Sequence, residues 1–171
     1  MKRGFTLIEL LIVIAIIGVL ATIVVVNFSS SRQKSRDAKR LADMKNVQTA
    51  LDMYLDKNGV YPSPDAAGES WCGGWDSSSD GDFIPVLVSD SWLNTNTKDP
   101  KSDLDAGCGN YQYFRYGTGN YGCTAARGAY YVLGVKNMET STGPYPDSPG
   151  WSCPARSWIG EFEWVTGKYE Q

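Results

Sequence analysis

From Phe5 to Phe28 the chain is apolar apart from scattered Thr, Gly and Asn and one charge, Glu9. Beyond that run polar residues return, and apolar positions recur at steps of three and four: Leu41, Met44, Val47, Leu51, Tyr54 and Leu55. Lys45, Asn46, Gln48, Asp52 and Asp56 fall on the other faces, the pattern of an amphipathic helix. No proline interrupts the chain between Phe5 and Lys57, while Asn58-Gly59 is a helix stop and Pro62 prevents resumption. The spacing predicts one helix from about Phe5 to Lys57, roughly 80 Å long at 1.5 Å per residue. Its first half is apolar on every face and reaches the roughly 20 residues that cross a bilayer core. Its second half should pack one face under a sheet.

The rest of the chain is built differently. Residues 61–110 are rich in Gly, Ser, Asp and Pro and read as a connecting region with a short helix near Ile84–Leu93. Tyr111–Tyr116 and Ala129–Val135 are aromatic and β-branched runs between Gly-rich turns, and Trp158–Thr166 alternates apolar with polar. Three antiparallel strands in chain order, laid over the amphipathic helix half, make an α+β domain. The predicted organisation is a leader at 1–4, a membrane-spanning helix at 5–28 and an amphipathic continuation at 29–58. A globular part follows at 59–171, divided into the connecting region 59–110 and a sheet-bearing, disulfide-rich region 111–171.

A carboxylate inside a membrane helix costs on the order of 3 kcal/mol at the bilayer centre and less near an end. Glu9 therefore needs a partner, and the next basic residue, Arg32, is far along the axis. The nearest fixed positive charge would be the α-amino group exposed by a cut before Phe5, supplied by a neighbouring copy in a packed bundle. Lys2 and Arg3 place the leader in the cytoplasm by the positive-inside rule, and the bulk of the chain outside.

Gly4-Phe5-Thr6-Leu7-Ile8-Glu9-Leu10, behind Lys2 and Arg3 and leading into the apolar run, resembles the class III leader of type IV pilins and type II secretion pseudopilins. The resemblance implies a pilin fold, cleavage after Gly4 by a membrane prepilin peptidase, N-methylation of the new terminus Phe5, and a role for Glu9 in aligning incoming subunits. It also implies self-assembly into a helical homopolymer, storage in the lipid bilayer beforehand, and an inner-membrane assembly platform with a separate ATPase. The filament would be periplasmic or on the cell surface. Residues 43–62, DMKNVQTALDMYLDKNGVYP, look like the helix end of major pseudopilins. Lys98-Asp99-Pro100, Tyr111-Gln112-Tyr113 and Tyr131-Val132-Leu133-Gly134 echo their strands. The chain departs from that branch in its Cys-rich insertions, and in a loop after the second strand, Val135–Glu139, that lacks the paired acidic residues holding calcium there.

The formal net charge of −3 gives nucleic acid no general attraction. Arg32, Lys34, Arg36, Lys39 and Arg40 cluster after the apolar run, where they either meet lipid headgroups or form a solvated helix face with Asp37. The four cysteines, Cys72, Cys108, Cys123 and Cys153, lie in the exported part and argue for two disulfides. A three-strand meander puts Cys108 and Cys153 at one sheet end, which favours Cys108–Cys153 with Cys72–Cys123. The sequential pairing Cys72–Cys108 with Cys123–Cys153 remains open.

No metal or other cofactor is expected. There is no histidine and no C-x-x-C, and the Asp76–Asp82 loop lacks EF-hand spacing and the bidentate glutamate at its twelfth position. Without histidine a Ser-His-Asp triad is impossible, and no G-x-S-x-G or phosphate-binding Gly-rich motif appears, so no catalytic residue is assigned. The aromatic residues include six tryptophans, read chiefly as core, with Trp71 and Trp75 among glycines as the candidate exposed ligand surface. The expected function is a structural subunit of a type IV pilus or secretion pseudopilus. The alternatives are a minor pilin or adhesin using the Trp- and Cys-rich region, or a DNA-uptake pilin, which the acidic domain disfavours.

Overall fold

The computed structural model describes residues 4–65, 72–79 and 81–171, with the side chains of 22–27 left outside the description. One helix, α1, runs from Leu7 to Asn58, 52 residues, through Gly18. Thr6 caps its start in an extended conformation, so the helix begins two residues later than the apolar run. Gly59 ends it at φ 73°, donating its N–H to the Leu55 carbonyl at 2.7 Å. Only glycine adopts that left-handed geometry without strain.

The strands β1 (Asp76–Ser77), β2 (Tyr111–Tyr116), β3 (Tyr130–Val135) and β6 (Trp164–Tyr169) form an antiparallel sheet in the order β1-β2-β3-β6. In between lie a short helix α2 (Pro85–Ser89) and a two-residue hairpin, β4 (Ser152–Cys153) with β5 (Arg156–Ser157). The register pairs Tyr113 with Leu133 and Leu133 with Thr166. Alternation along the strands then makes two faces. Tyr111, Tyr113, Tyr131, Leu133, Val135 and Trp164 pack on Met44, Val47, Ala50 and Leu51 of α1, with Phe83, Ile84 and Leu87 at the side. The opposite face carries Tyr116, Tyr130, Val132 and Val165 and is closed by Trp75, Trp158 and Phe162. Helix on one side and folded-back loop on the other leave every residue of β3 buried.

The helix, the α+β plan and the first two long strands are as expected. The third is not. The strand expected at Trp158–Thr166 lies at Trp164–Tyr169, and Trp158–Phe162 is a turn in which the Glu161 and Phe162 amides both donate to the Trp158 carbonyl. The physical reason is a landing site. Phe162 lies against Gly134 of β3, and Trp151 against Gly167 of β6, so closely that a Cβ at either glycine would overlap the ring. Two strand glycines thus admit two aromatic rings in close contact with the sheet. The pseudo-alternation of the sequence around Trp158 and Phe162 serves this second core rather than a strand.

The favoured disulfide pairing fails for the same reason. The bonds are Cys72–Cys108 and Cys123–Cys153, the sequential alternative. Cys153 does not lead into the sheet. It sits in the hairpin that folds over the second face, where it reaches Cys123 in the connection between β2 and β3. Cys72 is separated from β1 by Gly73, Gly74 and Trp75, with both glycines at positive φ, and bonds to Cys108 just before β2.

Candidate functional site

The proposed processing and assembly residues sit together at the free end of α1. Phe5 is 79% exposed, and no other described residue crowds Gly4. The Glu9 carboxylate accepts from the Thr6 amide at 2.8 Å and the Thr6 hydroxyl at 2.6 Å, while the Glu9 amide donates back to Thr6 Oγ1 at 3.3 Å. This is a reciprocal capping box, which satisfies the otherwise orphaned donors of the first turn. The box gives Glu9 two hydrogen-bond donors from the start of the helix but no positive charge. Both donors fall on Oε2, so Oε1 keeps its acceptor capacity. Because the cap uses the Thr6 amide, it would survive a cut between Gly4 and Phe5.

Behind this end, every large apolar side chain from Leu7 to Leu20 is 44–81% exposed. Contiguous exposed apolar surface on this scale marks a contact with lipid or protein. Among the described residues no helix is long and apolar enough to cross a membrane. Within the expected 5–28 span the side chains of 22–27 lie outside the described ones, and Phe28 beyond them is again exposed.

The basic cluster divides. Arg32 and Lys34 remain exposed, but Lys39 pairs with Asp43 at 2.9 Å and Arg36 grips Glu139 through two 2.6 Å bonds. Arg40 is fully buried. Its guanidinium donates to both oxygens of Asp99 (2.7 and 2.8 Å), to Asp37 at 2.5 Å and to Glu139 at 3.0 Å. Asp37 in turn accepts from the amides of Glu139 and Thr140 and from the Thr140 hydroxyl. Asn110 completes the joint, donating to Asp99 and to the Asn137 carbonyl and accepting from the Asn137 amide. The node locks α1 to the loop before β2 and the loop after β3.

The charges shift accordingly. The Arg36 hydrogen bond, helped by Arg40 against a desolvation cost, holds the Glu139 carboxyl down at about 2. Burial pushes Asp37 up, but the Thr140 hydroxyl, the two loop amides and Arg40 together bring it below the usual carboxylate range. Burial disfavours the Arg40 charge, yet Asp99, Asp37 and Glu139 raise its affinity for the proton still further. The cation at the centre of these three carboxylates is a guanidinium. Sequence reading missed this node; its one local hint was the three-residue spacing of Asp37 and Arg40.

Trp71 lies outside the described residues. Trp75 is only 8% exposed and packs on Phe114, Tyr116 and Phe162, so the expectation of an exposed Trp75 is corrected. Its place is in the second core. Among the described residues no group of three or more Asp, Glu, His or Cys is arranged to hold a metal ion.

Residues 1–25 match the family model for the prokaryotic N-terminal methylation motif. The chain is 36% identical over 104 residues to type II secretion system core protein G of Aeromonas hydrophila, covering 54% of this chain and 69% of that one. To the protein of that name from Vibrio cholerae it is 34% identical over 98 residues, covering 54% and 67%. To that of Pectobacterium carotovorum it is 45% identical over 62 residues, covering 36% and 40%. The matched part thus spans from 40% to 69% of the length of these relatives. No solved structure matches the chain significantly. With this identity sustained over two thirds of two relatives, behind a methylation-type leader, the chain belongs to the family of type II secretion system core protein G.

Proposed function

We propose that the chain is the structural subunit of a type II secretion-type pseudopilus. A prepilin peptidase cuts it after Gly4, Phe5 is methylated, and the subunits leave the bilayer to form a helical homopolymer. The observation that carries this reading is the contrast between the two halves of the molecule. The globular part closes both faces of its sheet, whereas the Leu7–Leu20 surface is left uncovered and ends in a capped carboxylate with one oxygen to spare. Before assembly lipid covers that surface, with the leader inside and the domain outside the cytoplasmic membrane. After assembly the same surface of other copies replaces the lipid. In that core the Phe5 amine of a neighbour meets Glu9 Oε1, and desolvation makes any register without this pairing costly. Nothing in the sequence resembles a phosphate-binding loop, so the energy of extraction comes from a separate ATPase acting through an assembly platform. No catalytic role is assigned to the chain.

The test is mass spectrometry of the N-terminal peptide from membrane and sheared fractions of the native host. The reading expects a terminus at methylated Phe5 in both, enriched in the filament fraction. A Met1 terminus confined to membranes would overturn it.

A further inference from the structure

At the end of its apolar run α1 changes character within one turn. Phe28 is 61% exposed, and one turn on stands Arg32, exposed as well. Phe28, Ser29, Arg32 and Arg36 line an open groove of about 480 Å³. Steps of three and four residues put them on one helix face. Of the basic cluster, Arg36, Lys39 and Arg40 are tied into the fold, whereas no ion pair joins Arg32 or Lys34 to another described residue. Arg36 uses Nε and Nη2 on Glu139, and its Nη1 donates to nothing among the described residues.

In the bilayer storage proposed above, the dimensions of the membrane decide what lies beside this face. Centred on the apolar run 5–28, a hydrocarbon core roughly 30 Å thick ends at about residue 26. The headgroup layers extend it to roughly 40–45 Å in all, which ends at about residue 31. A helix tilt of roughly 20° carries that limit to about residue 32. Phe28 then stands at the hydrocarbon boundary and Arg32 in the phosphate layer. Helix side chains lean toward the N-terminus, so both guanidiniums reach back toward the membrane.

We propose that this face binds the headgroup of an anionic phospholipid. The phosphate lies between Arg32 and the free Nη1 of Arg36, the Ser29 hydroxyl donates to it, and Phe28 rests against the acyl chains. A guanidinium fork matches a phosphate better than an ammonium does. Glu139 already balances Arg36, so Arg32 leaves one positive charge to be met. A phosphatidylglycerol headgroup meets it, whereas a zwitterionic headgroup brings its own ammonium. The exposed Asp90, Asp103 and Asp147 of a second copy offer a carboxylate, but a phospholipid brings the anion together with the hydrocarbon that Phe28 needs. The site rests on the membrane storage proposed above and deepens it: the bound lipid sets the depth of α1 and is given up when the subunit leaves the bilayer.

The experiment places the full chain in neutral phosphatidylcholine bicelles and adds phosphatidylglycerol, following backbone amide and arginine Nε–H signals. Contacts from acyl chains to Leu7–Leu20 report the storage; shifts at Ser29, Arg32 and Arg36 report the site. Saturable shifts with phosphatidylglycerol, and none with further phosphatidylcholine, are expected. Arg32→Gln should weaken binding about fivefold, the usual contribution of one basic residue at an anionic surface, with the melting temperature unchanged. Lys34 stands about 200° round the helix from Arg32 and outside the groove, so Lys34→Gln should leave binding nearly unchanged. Equal losses from the two variants would mean diffuse attraction and overturn the site. The same shifts from inorganic phosphate, or from protein concentration alone, would overturn it too, the latter in favour of a second copy's carboxylates. Absence of acyl contacts to Leu7–Leu20 would overturn the storage itself, and the site with it.

Discussion

Replacing Arg40 by alanine tests whether charge holds the joint between helix and sheet. The substitution leaves Asp37, Asp99 and Glu139 converging on a site whose cation is gone, with Asp37 and Asp99 nearly inaccessible to water. Removing one partner of a buried pair costs about 3–5 kcal/mol, because the remaining charge is stranded. That is a large part of the roughly 5–15 kcal/mol that stabilises a typical domain. At about 2–4 °C per kcal/mol for a protein of this size, the melting temperature should fall by roughly 10 °C. Lysine should restore only part of the loss, since an ammonium cannot reproduce the two-pronged contact with Asp99.

The pH dependence gives the sharper discrimination. In the natural chain both Glu139 and Asp37 have depressed values. Their contribution is therefore present above the unfolded carboxylate range near 4, and is lost as pH falls toward the folded values, about 2 for Glu139. In Arg40→Ala the stranded carboxylates favour protonation, which relieves the variant as pH falls. The gap between natural chain and variant should narrow from pH 7 to pH 4. Urea unfolding in micelles, followed by tryptophan fluorescence, measures it. A loss under about 1 kcal/mol at pH 7, or a gap that widens on acidification, would refute the argument that stranded charge sets the cost.

Three further outcomes are expected. Gly134→Ala should destabilise by about 1–3 kcal/mol through overlap with Phe162, and pairing it with Phe162→Leu should recover part of that in the same unfolding assay; strict additivity would count against the landing-site account. Non-reducing peptide mapping should find Cys72 joined to Cys108 and Cys123 to Cys153, and removing either bond should cost about 2–5 kcal/mol; a crossed pairing would contradict the folded-back hairpin. Glu9→Ala should leave a cleaved, membrane-bound protein with few filaments, and natural filament yield from that variant would remove Glu9 from the assembly mechanism.

Local signals read well from the sequence, and distant ones did not. The helix expected at Phe5–Lys57 runs from Leu7 to Asn58 because its period and its Asn58-Gly59 stop are written within a few residues of each other. Tyr111–Tyr116 and Tyr130–Val135 are legible because aromatic and β-branched residues crowd each run and Gly-rich turns bound it. Trp158–Thr166 alternates like a half-buried strand, and nothing near it tells an aromatic aimed at solvent from one that folds over onto Gly134. The information sits in a glycine more than twenty residues earlier in the chain. That single ambiguity propagated: with the strand placed too early, Cys153 fell at the wrong sheet end and the crossed disulfides followed. Arg40 is the same problem in charge form, since its partners Asp99 and Glu139 lie 59 and 99 residues away and its helix neighbours look solvated. The apolar end of α1 escapes this difficulty because no described residue of its own chain covers it. Under the proposed function its environment is lipid or other copies, so its pattern answers to an outside partner and needs no knowledge of the fold. What the structure adds there is chemical: Thr6 holds one oxygen of Glu9, and the other has no hydrogen-bond partner among the described residues.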